Sequence, residues 1–414
     1  MDSHKYLDHL KHSLLDACIK AGWNLHGNIK HVALVSAKTG YGIENLVSKL
    51  FTDWNRCGDI YLVGCTNVGK SSLFNVLLQS DLCKSNIRDL FERATVSIWP
   101  GTTMNLLKFP LLQPTPERMY KRKKRLLEDK EEFELWEKKR RQYLDLVGLS
   151  KNAVLKGFVG QTQFSENETS FEGHLDVSYA FDPANSVIEK ATKKTKVLKR
   201  KQLLKMAPNL ANCHWFYDTP GIMNPEQIIN FLEPKELQIL TPNEMLRPRT
   251  VKLKSTQVMY ITGLACIEYV KGDMHVLVTV ITNLDNPIHV LEATESQSFF
   301  KENIGTDVLK VPLGGKDRLD KLPPLVSKEF NLLGTGFKYT ICDIVLSSVG
   351  WIGVSAKAGS EIVVRAYTPG GYGCHLRPPL LPEAVNLKKR SIKNSPFYLM
   401  KKPMSMWTPP SSDT

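Results

Sequence analysis

One stretch limits the possible folds more than any other: Ile60 to Leu78, IYLVGCTNVGKSSLFNVLL. Tyr61, Leu62 and Val63 have the pattern of a buried parallel strand, a glycine-rich turn follows, and the amphipathic run from Ser72 to Gln79 reads as a helix. The turn runs Gly64, four residues, then Gly69-Lys70-Ser71, which is the spacing of a P-loop. Glycines there let backbone N–H groups turn inward around a phosphate, and the positive end of the helix starting near Lys70 faces the same anion. The expected phosphate cradle is Gly64, Cys65, Thr66, Asn67, Val68, Gly69, Lys70, Ser71 and Ser72. Lys70 supplies a mobile cation for the β- and γ-phosphates, and the Ser71 hydroxyl is the expected Mg2+ ligand. A chance glycine-rich turn is the plainer reading, but it does not account for every fixed position being filled between a strand and a helix.

At 414 residues the chain has room for two or three domains with real cores. It has no run of about 18 uncharged apolar residues, so no spanning helix is expected. A formal charge of +13 favours polyanionic partners, nucleic acid first. The 8 cysteines are scattered without a CxxC pair, which argues against zinc and disulfide frameworks and for a reducing compartment. No haem-ligand arrangement or flavin fingerprint is visible. The first residues, HKYLDHLKHSLLDACIKAG, form an amphipathic helical pattern that contains acids, unlike a signal or transit peptide. Its apolar face is expected to cover a sheet.

Motifs that complete a nucleotide site stand on both sides of the P-loop. Upstream, Val32 to Val35 reads as a strand, Ser36-Ala37-Lys38 as a tight turn, and Ile43 to Phe51 as a helix after Gly40 and Gly42. In that setting the SAK turn looks like the loop by which Ras-type GTPases place a backbone N–H against the guanine carbonyl; alone it would be an ordinary turn. Downstream, a polar loop ends at Thr102-Thr103 before a strand from Asn105 to Leu112. A threonine there can reach Mg2+ and sense the γ-phosphate, with Thr103 preferred to Thr102. Finally His214-Trp-Phe-Tyr-Asp218-Thr-Pro-Gly221 is a buried strand that delivers Asp218 to the metal and the Gly221 N–H to the γ-phosphate.

In this order, SAKTGYG, GCTNVGKS, WPGTTMNLLKFP and HWFYDTPGI resemble the circularly permuted GTPases of the YqeH type, a likeness that runs from about residue 5 to the end. Base-reading loop before P-loop is the reverse of the ordinary order, and permutation explains it if the old termini lie close together. The resemblance implies an α/β fold: a circularly permuted Ras-like P-loop domain followed by a mainly antiparallel, β-rich C-terminal domain that binds nucleic acid. It implies GTP and Mg2+ as ligands, and K+ held through Asn67, although Asn67 also simply tolerates a left-handed turn. It implies small-subunit rRNA or its ribonucleoprotein as partner, coupling of GTP hydrolysis to ribosome assembly and translation, a mitochondrial matrix location and a peripheral association with the inner membrane. Lys70, Thr103, Asp218 and Gly221 are then the catalytic set, Ser71, Thr103, Asp218 and Asn67 the metal-facing set, and Ser36, Ala37 and Lys38 the base-facing set.

Two departures bear on these expectations. Ile222 stands where Ras-type enzymes carry a water-orienting Gln, and an aliphatic side chain cannot orient water, so slow intrinsic hydrolysis is expected. No NKxD motif occurs, so guanine preference rests on resemblance; the expectation is an N-terminally truncated form whose missing part holds that motif and a targeting peptide. Two other classes therefore stay open: an RNA- or membrane-surface-binding protein with a vestigial nucleotide site, and an ATP-using P-loop enzyme.

The expected organisation is a nucleotide domain from 1–112 and 211–224, a charged insertion at 113–210, a C-terminal domain at 225–390 and a basic tail at 391–414. The insertion opens with a long helix whose apolar residues are too sparse for burial, continues with a hairpin from Val154 to Phe164, and closes with a basic run from Lys193 to Lys205. Pro225 to Leu240 reads as a helix, and from Arg249 β segments follow, separated by Gly, Asp, Asn and Pro, as a separate antiparallel domain. Trp351, Tyr367, Tyr372, Arg365 and Arg377 are candidates for an aromatic, basic RNA surface, with core packing the alternative for Trp351.

Overall fold

The computed structural model describes residues 4–23, 27–54, 57–83, 91, 93–97, 106–147, 154–162, 213–242, 246–390 and 398–400. The basic run at 193–205 lies outside them. The chain divides into two compact units, one of residues 14–143 and 154–223, the other of 1–13, 144–153 and 224–414. Helix α1 (His4–Lys20) contributes to both. Within the second unit Tyr6 is buried among Ile281, Leu381 and Ala384, so only the first turns of α1 cover a sheet; Leu14 and Ile19 are exposed.

The first unit holds α2 (Ile43–Asp53), β1 (Ile60–Leu62), α3 (Lys70–Leu78), β2 (Leu107–Pro110), α4 (Pro116–Leu146) and β3 (Trp215–Asp218). Its sheet has the order β1-β3-β2, with β1 parallel and β2 antiparallel to β3, and both Leu62 and Leu107 stand opposite Asp218. One face is packed: Phe109 and Phe216 stack at 5.1 Å between ring centroids and Phe74 of α3 meets Phe109 at 5.2 Å. Ile43, Val47 and Phe51, one turn apart along α2, join the same core. The expected burial of Tyr61 and Val63 does not hold. They are 56% and 69% exposed because successive strand residues face opposite sides and only the Ile60/Leu62 side meets the core. Val32 to Val35 likewise joins no sheet among the described residues; an extended chain becomes a strand only where a neighbour takes up its backbone bonds.

Helix α4 has 31 residues and so spans about 46 Å at 1.5 Å per residue. Most of it is solvated, as its charge pattern requires, but its base is not: Arg122 is 3% exposed and bonds Glu44 of α2 and Asp81 just beyond α3. The chain returns along 154–162 without forming the expected hairpin. It runs as a strap whose backbone bonds go to other segments, Gly157 N–H to Thr39 O at 3.0 Å and Gly160 N–H to Glu44 Oε1 at 2.8 Å.

In the second unit the expected helix over 225–240 is divided into a 3-10 turn at Ile228–Phe231 and α5 (Pro234–Leu240). Pro234 has no N–H for a preceding turn, and Glu233 with Glu236 forms a capping box that starts a new helix there. The strands are β4 (Arg249–Leu253), β5 (Gln257–Ile261), β6 (Ala265–Lys271), β7 (Val276–Thr282), β8 (Ile288–Glu292), β9 (Leu325–Leu333), β10 (Cys342–Leu346), β11 (Gly350–Ser355), β12 (Glu361–Pro369) and β13 (Cys374–Arg377). Two antiparallel five-stranded sheets result, β13-β10-β11-β7-β4 and β8-β5-β6-β12-β9. Met259, Ile267 and Tyr269 of one and Val278, Ile344 and Ile352 of the other share one buried core, so the unit is a β-sandwich. Helix α6 (Ala293–Asn303) follows β8 directly.

Candidate active site

Strand β1 ends at Leu62 and the P-loop follows at once, at the carboxyl end of the parallel β1–β3 pair, where open α/β sheets place their ligands. Gly69 caps α3 with φ 89° and no side-chain cap bond, so no side chain occupies the helix N-terminus that faces the loop. Asn67 takes φ 59°, a left-handed conformation that Asn adopts more readily than most residues. Lys70 Nζ donates to the carbonyls of Gly64 at 3.0 Å and Cys65 at 2.7 Å. Two of its three N–H donors thus hold the ammonium over the loop and fix where the third points.

Ser71 Oγ donates to Asp218 Oδ2 at 3.0 Å. Asp218 is fully buried, and its other oxygen, Oδ1, has no hydrogen-bond partner. Burial pushes its carboxyl above the ordinary carboxylate range, against the Ser71 hydrogen bond and the Lys70 charge, which both favour the ionised form. An orphaned carboxylate oxygen beside a serine hydroxyl fits a hard divalent cation. Among the described residues no group of three or more His, Cys, Asp or Glu gathers as a metal site. That donor set suits Mg2+, which takes few protein ligands and completes its shell with phosphate oxygens and water.

The turn after Asp218 lies against the P-loop. Thr219 Oγ1 bonds Leu62 O at 2.8 Å, Ile222 N–H donates to Gly64 O at 3.1 Å, and Thr66 N–H donates to Ile222 O at 3.0 Å. A Cβ on Gly221 would stand 2.8 Å from Thr66 Cα and 3.0 Å from Lys70 Nζ, so only glycine fits. The Ile222 side chain is 67% exposed; its contribution is the backbone pairing with the loop.

The Ser36–Lys38 turn is closed by Ser36 N–H to Tyr41 O at 2.9 Å and Thr39 N–H to Ser36 Oγ at 3.2 Å, and it runs into α2, which shares its core with α3. Thr102 and Thr103 lie outside the described residues. The structure therefore brings Gly64, Lys70, Ser71, Asp218 and Gly221 together directly. Sequence reasoning missed Thr219, and it missed that Arg122 and Arg125 are buried in the carboxylates of Glu44 and Asp81. No local signal marks them, since Lys121 and Lys124 in the same run share the same i,i+3 spacing.

The expected RNA surface on the sandwich does not form as one patch. Arg365 is paired to Glu268 and Glu329 at 3.2 and 2.8 Å, and Tyr367 donates to the same Glu268. Arg377 lies over Trp351 on the other sheet and is held by Asp343, while Tyr372 stacks on Phe231 at 5.7 Å. Cationic groups already matched by carboxylates on the same face have little charge left for phosphate.

A family model described as "50S ribosome-binding GTPase" matches residues 59–246, and one described as "YqeH-like, C-terminal" matches residues 275–380. The chain carries a GTPase domain and a YqeH-like C-terminal domain. It is 40% identical over 384 residues to "Nitric oxide-associated protein 1" of Mus musculus, covering 91% of its own length and 54% of the relative's. The Homo sapiens protein of the same name is 40% identical over 385 residues, with the same coverage. "Uncharacterized protein YqeH" of Bacillus subtilis (strain 168) is 25% identical over 350 residues, 84% of this chain and 63% of that one. The chain spans about half the length of its mammalian relatives. The GTPase domain contains the P-loop, Asp218 and Gly221, and GTP with Mg2+ is what such a domain binds. Among the described residues no helix is long and apolar enough to cross a membrane.

Proposed function

We propose that this chain hydrolyses GTP slowly on its own and faster on a ribosomal particle, and that it serves assembly of the mitochondrial small ribosomal subunit and so translation. The observation that carries the reading is the Ser71–Asp218 pair with its orphaned Oδ1, set beside Lys70 and Gly221. Bound Mg2+ would neutralise and orient the β- and γ-phosphates. Ser71 and Asp218 would hold it, Asp218 through water, while Lys70 and the N–H groups from Asn67 to Ser72 bind phosphate oxygens. Gly221 and Thr103 sense the γ-phosphate, and Ser36 to Lys38 face the base through backbone N–H groups. The order of these segments, base loop first, is read as a circular permutation.

The partner class is supported by the matched description, which names a ribosome-binding GTPase, and by the net charge of +13. The small subunit, the matrix location, a peripheral contact with the inner membrane and a K+ beside Asn67 belong to the same proposal through the family resemblance. The Ile222 side chain, exposed and without a hydrogen-bonding group, supports the slow intrinsic rate. It also favours the second reading, an RNA- or membrane-surface-binding protein whose nucleotide site is vestigial.

The deciding experiment is GTP turnover by the purified chain alone, with small subunits and with large subunits, in K+ and in Na+. Stimulation by small subunits, lost in Lys70→Ala, is the expected result. A rate unchanged by either particle and by Lys70→Ala leaves only the second reading.

A further inference from the structure

We infer that the insertion after β2 holds the Ser36–Lys38 loop in its base-reading shape, with Arg122, Arg125 and Gly157 as positioning residues that set guanine selectivity. The inference rests on the proposed reading of that loop as the one that faces the base.

Four segments far apart in sequence meet in one buried cluster. Arg122 donates to Glu44 Oε2 at 2.7 and 2.8 Å, to Asp81 Oδ2 at 2.8 Å, and to the Glu44 carbonyl at 3.0 Å. Arg125 spans the same two carboxylates at 3.1 and 2.9 Å. The strap closes the cluster from the far side: Gly160 N–H reaches Glu44 Oε1 at 2.8 Å, and Thr162 N–H reaches Asp81 Oδ1 at 2.6 Å. Two guanidiniums thus face two buried carboxylates, with the half-buried Asp129 a third on Arg125, and the side chains of Arg122, Glu44 and Asp81 are each less than 10% exposed. A buried set of charges is a poor way to gain net stability, because desolvation offsets the attraction; what it does well is admit one arrangement and reject others.

The arrangement it selects is that of the loop. Glu44 lies in the first turn of α2, immediately after the loop, so its clamping fixes where the loop ends. Between the ends, the strap presses on the loop itself: Gly157 N–H donates to Thr39 O at 3.0 Å, and a Cβ on Gly157 would stand 2.5 Å from Gly40 O and 2.8 Å from Tyr41 Cα. Tyr41 O is also the acceptor that closes the loop onto Ser36 N–H. Base reading by a backbone N–H depends on the direction of one bond, and a shift of about 1 Å is enough to lose it.

The test is binding of fluorescent GDP and ADP to the full chain and to Gly157→Ala, Arg125→Met, Arg125→Lys and Ala37→Pro, with circular dichroism as the check on folding. Gly157→Ala and Arg125→Met are expected to weaken GDP about tenfold and ADP less than twofold, so the preference for guanine shrinks, and Arg125→Lys recovers part of it. Ala37→Pro deletes a loop N–H and tests the underlying reading: if it leaves the preference unchanged, or the parent has none, the loop does not read the base. If Ala37→Pro abolishes the preference while folded Gly157→Ala keeps it within twofold, the positioning role is overturned. Equal losses for GDP and ADP overturn it too, since they report a general loosening. Should Arg125→Met fail to fold, Gly157→Ala decides alone.

Discussion

The Ser71 hydroxyl donates to Asp218 Oδ2 at 3.0 Å, and the other Asp218 oxygen is buried without a partner. A carboxylate placed this way costs the nucleotide-free fold something and returns it when a cation arrives, so its behaviour with pH is diagnostic. The folded-state pKa of Asp218 is raised by burial. Its ionised form therefore disfavours folding at neutral pH, and the cost is relieved as pH falls through the folded value.

Asp218→Asn should raise the melting temperature of the nucleotide-free protein at pH 7 and remove this residue's share of the gain seen on acidification. It should weaken Mg-nucleotide binding by roughly tenfold, about 1.4 kcal/mol. Thermal melts from pH 7 to 5, with and without Mg-GDP, read both effects.

Lys70→Ala deletes the ammonium that the Gly64 and Cys65 carbonyls hold in place. With charge-assisted hydrogen bonds worth about 1.5–3 kcal/mol each, nucleotide affinity should fall at least about a hundredfold. Isothermal titration with GDP and a non-hydrolysable GTP analogue measures it.

Gly221→Ala puts a methyl group into Thr66 and Lys70. The turn must shift, which loosens the Ile222 pairing with Gly64 and Thr66. GTP hydrolysis should fall on the order of tenfold to a hundredfold with GDP affinity changed far less, because in the proposed arrangement the turn meets only the γ-phosphate. Amide exchange at Thr66 and Ile222 should quicken in the same variant.

Glu44→Gln keeps the shape of the buried cluster and removes one charge opposite Arg122 and Arg125. A loss of about 3 kcal/mol in urea unfolding is expected. Adding Arg122→Met should recover part of it, which a double-mutant cycle detects.

Arg365→Ala should leave RNA affinity within about twofold, since Glu268 and Glu329 already match its charge. Filter binding at two salt concentrations, with an unchanged salt slope, is the check.

The P-loop was fully legible because each of its positions is fixed by one local requirement: a left-handed turn, a helix start, a cation, a hydroxyl. Asp218 and Gly221 were legible for the same reason. The sandwich strands were readable as β-rich runs between Gly, Asp, Asn and Pro; β12 shows the period-two burial of a strand with one face turned to a core, whereas β7 is a continuous apolar run buried at every residue. The exposure of Tyr61 was not, because a strand's own sequence does not say which of its faces a helix will cover. Nor were Arg122 and Arg125: in a run reading KRKKR, nothing local separates a solvated guanidinium from one whose carboxylates arrive from other segments.

The amino-acid order by itself decided that a phosphate cradle forms at Gly64 to Ser71 and that a β-rich unit follows, since both depend on bonds between residues close along the chain or on simple periodicity. The tertiary structure decided which oxygen of Asp218 stays unpaired, and that the insertion returns to rest on the loop at Thr39 and Gly40. These are outcomes of packing between distant segments, and burial, which sets the energy of every charge involved, exists only once those segments have met.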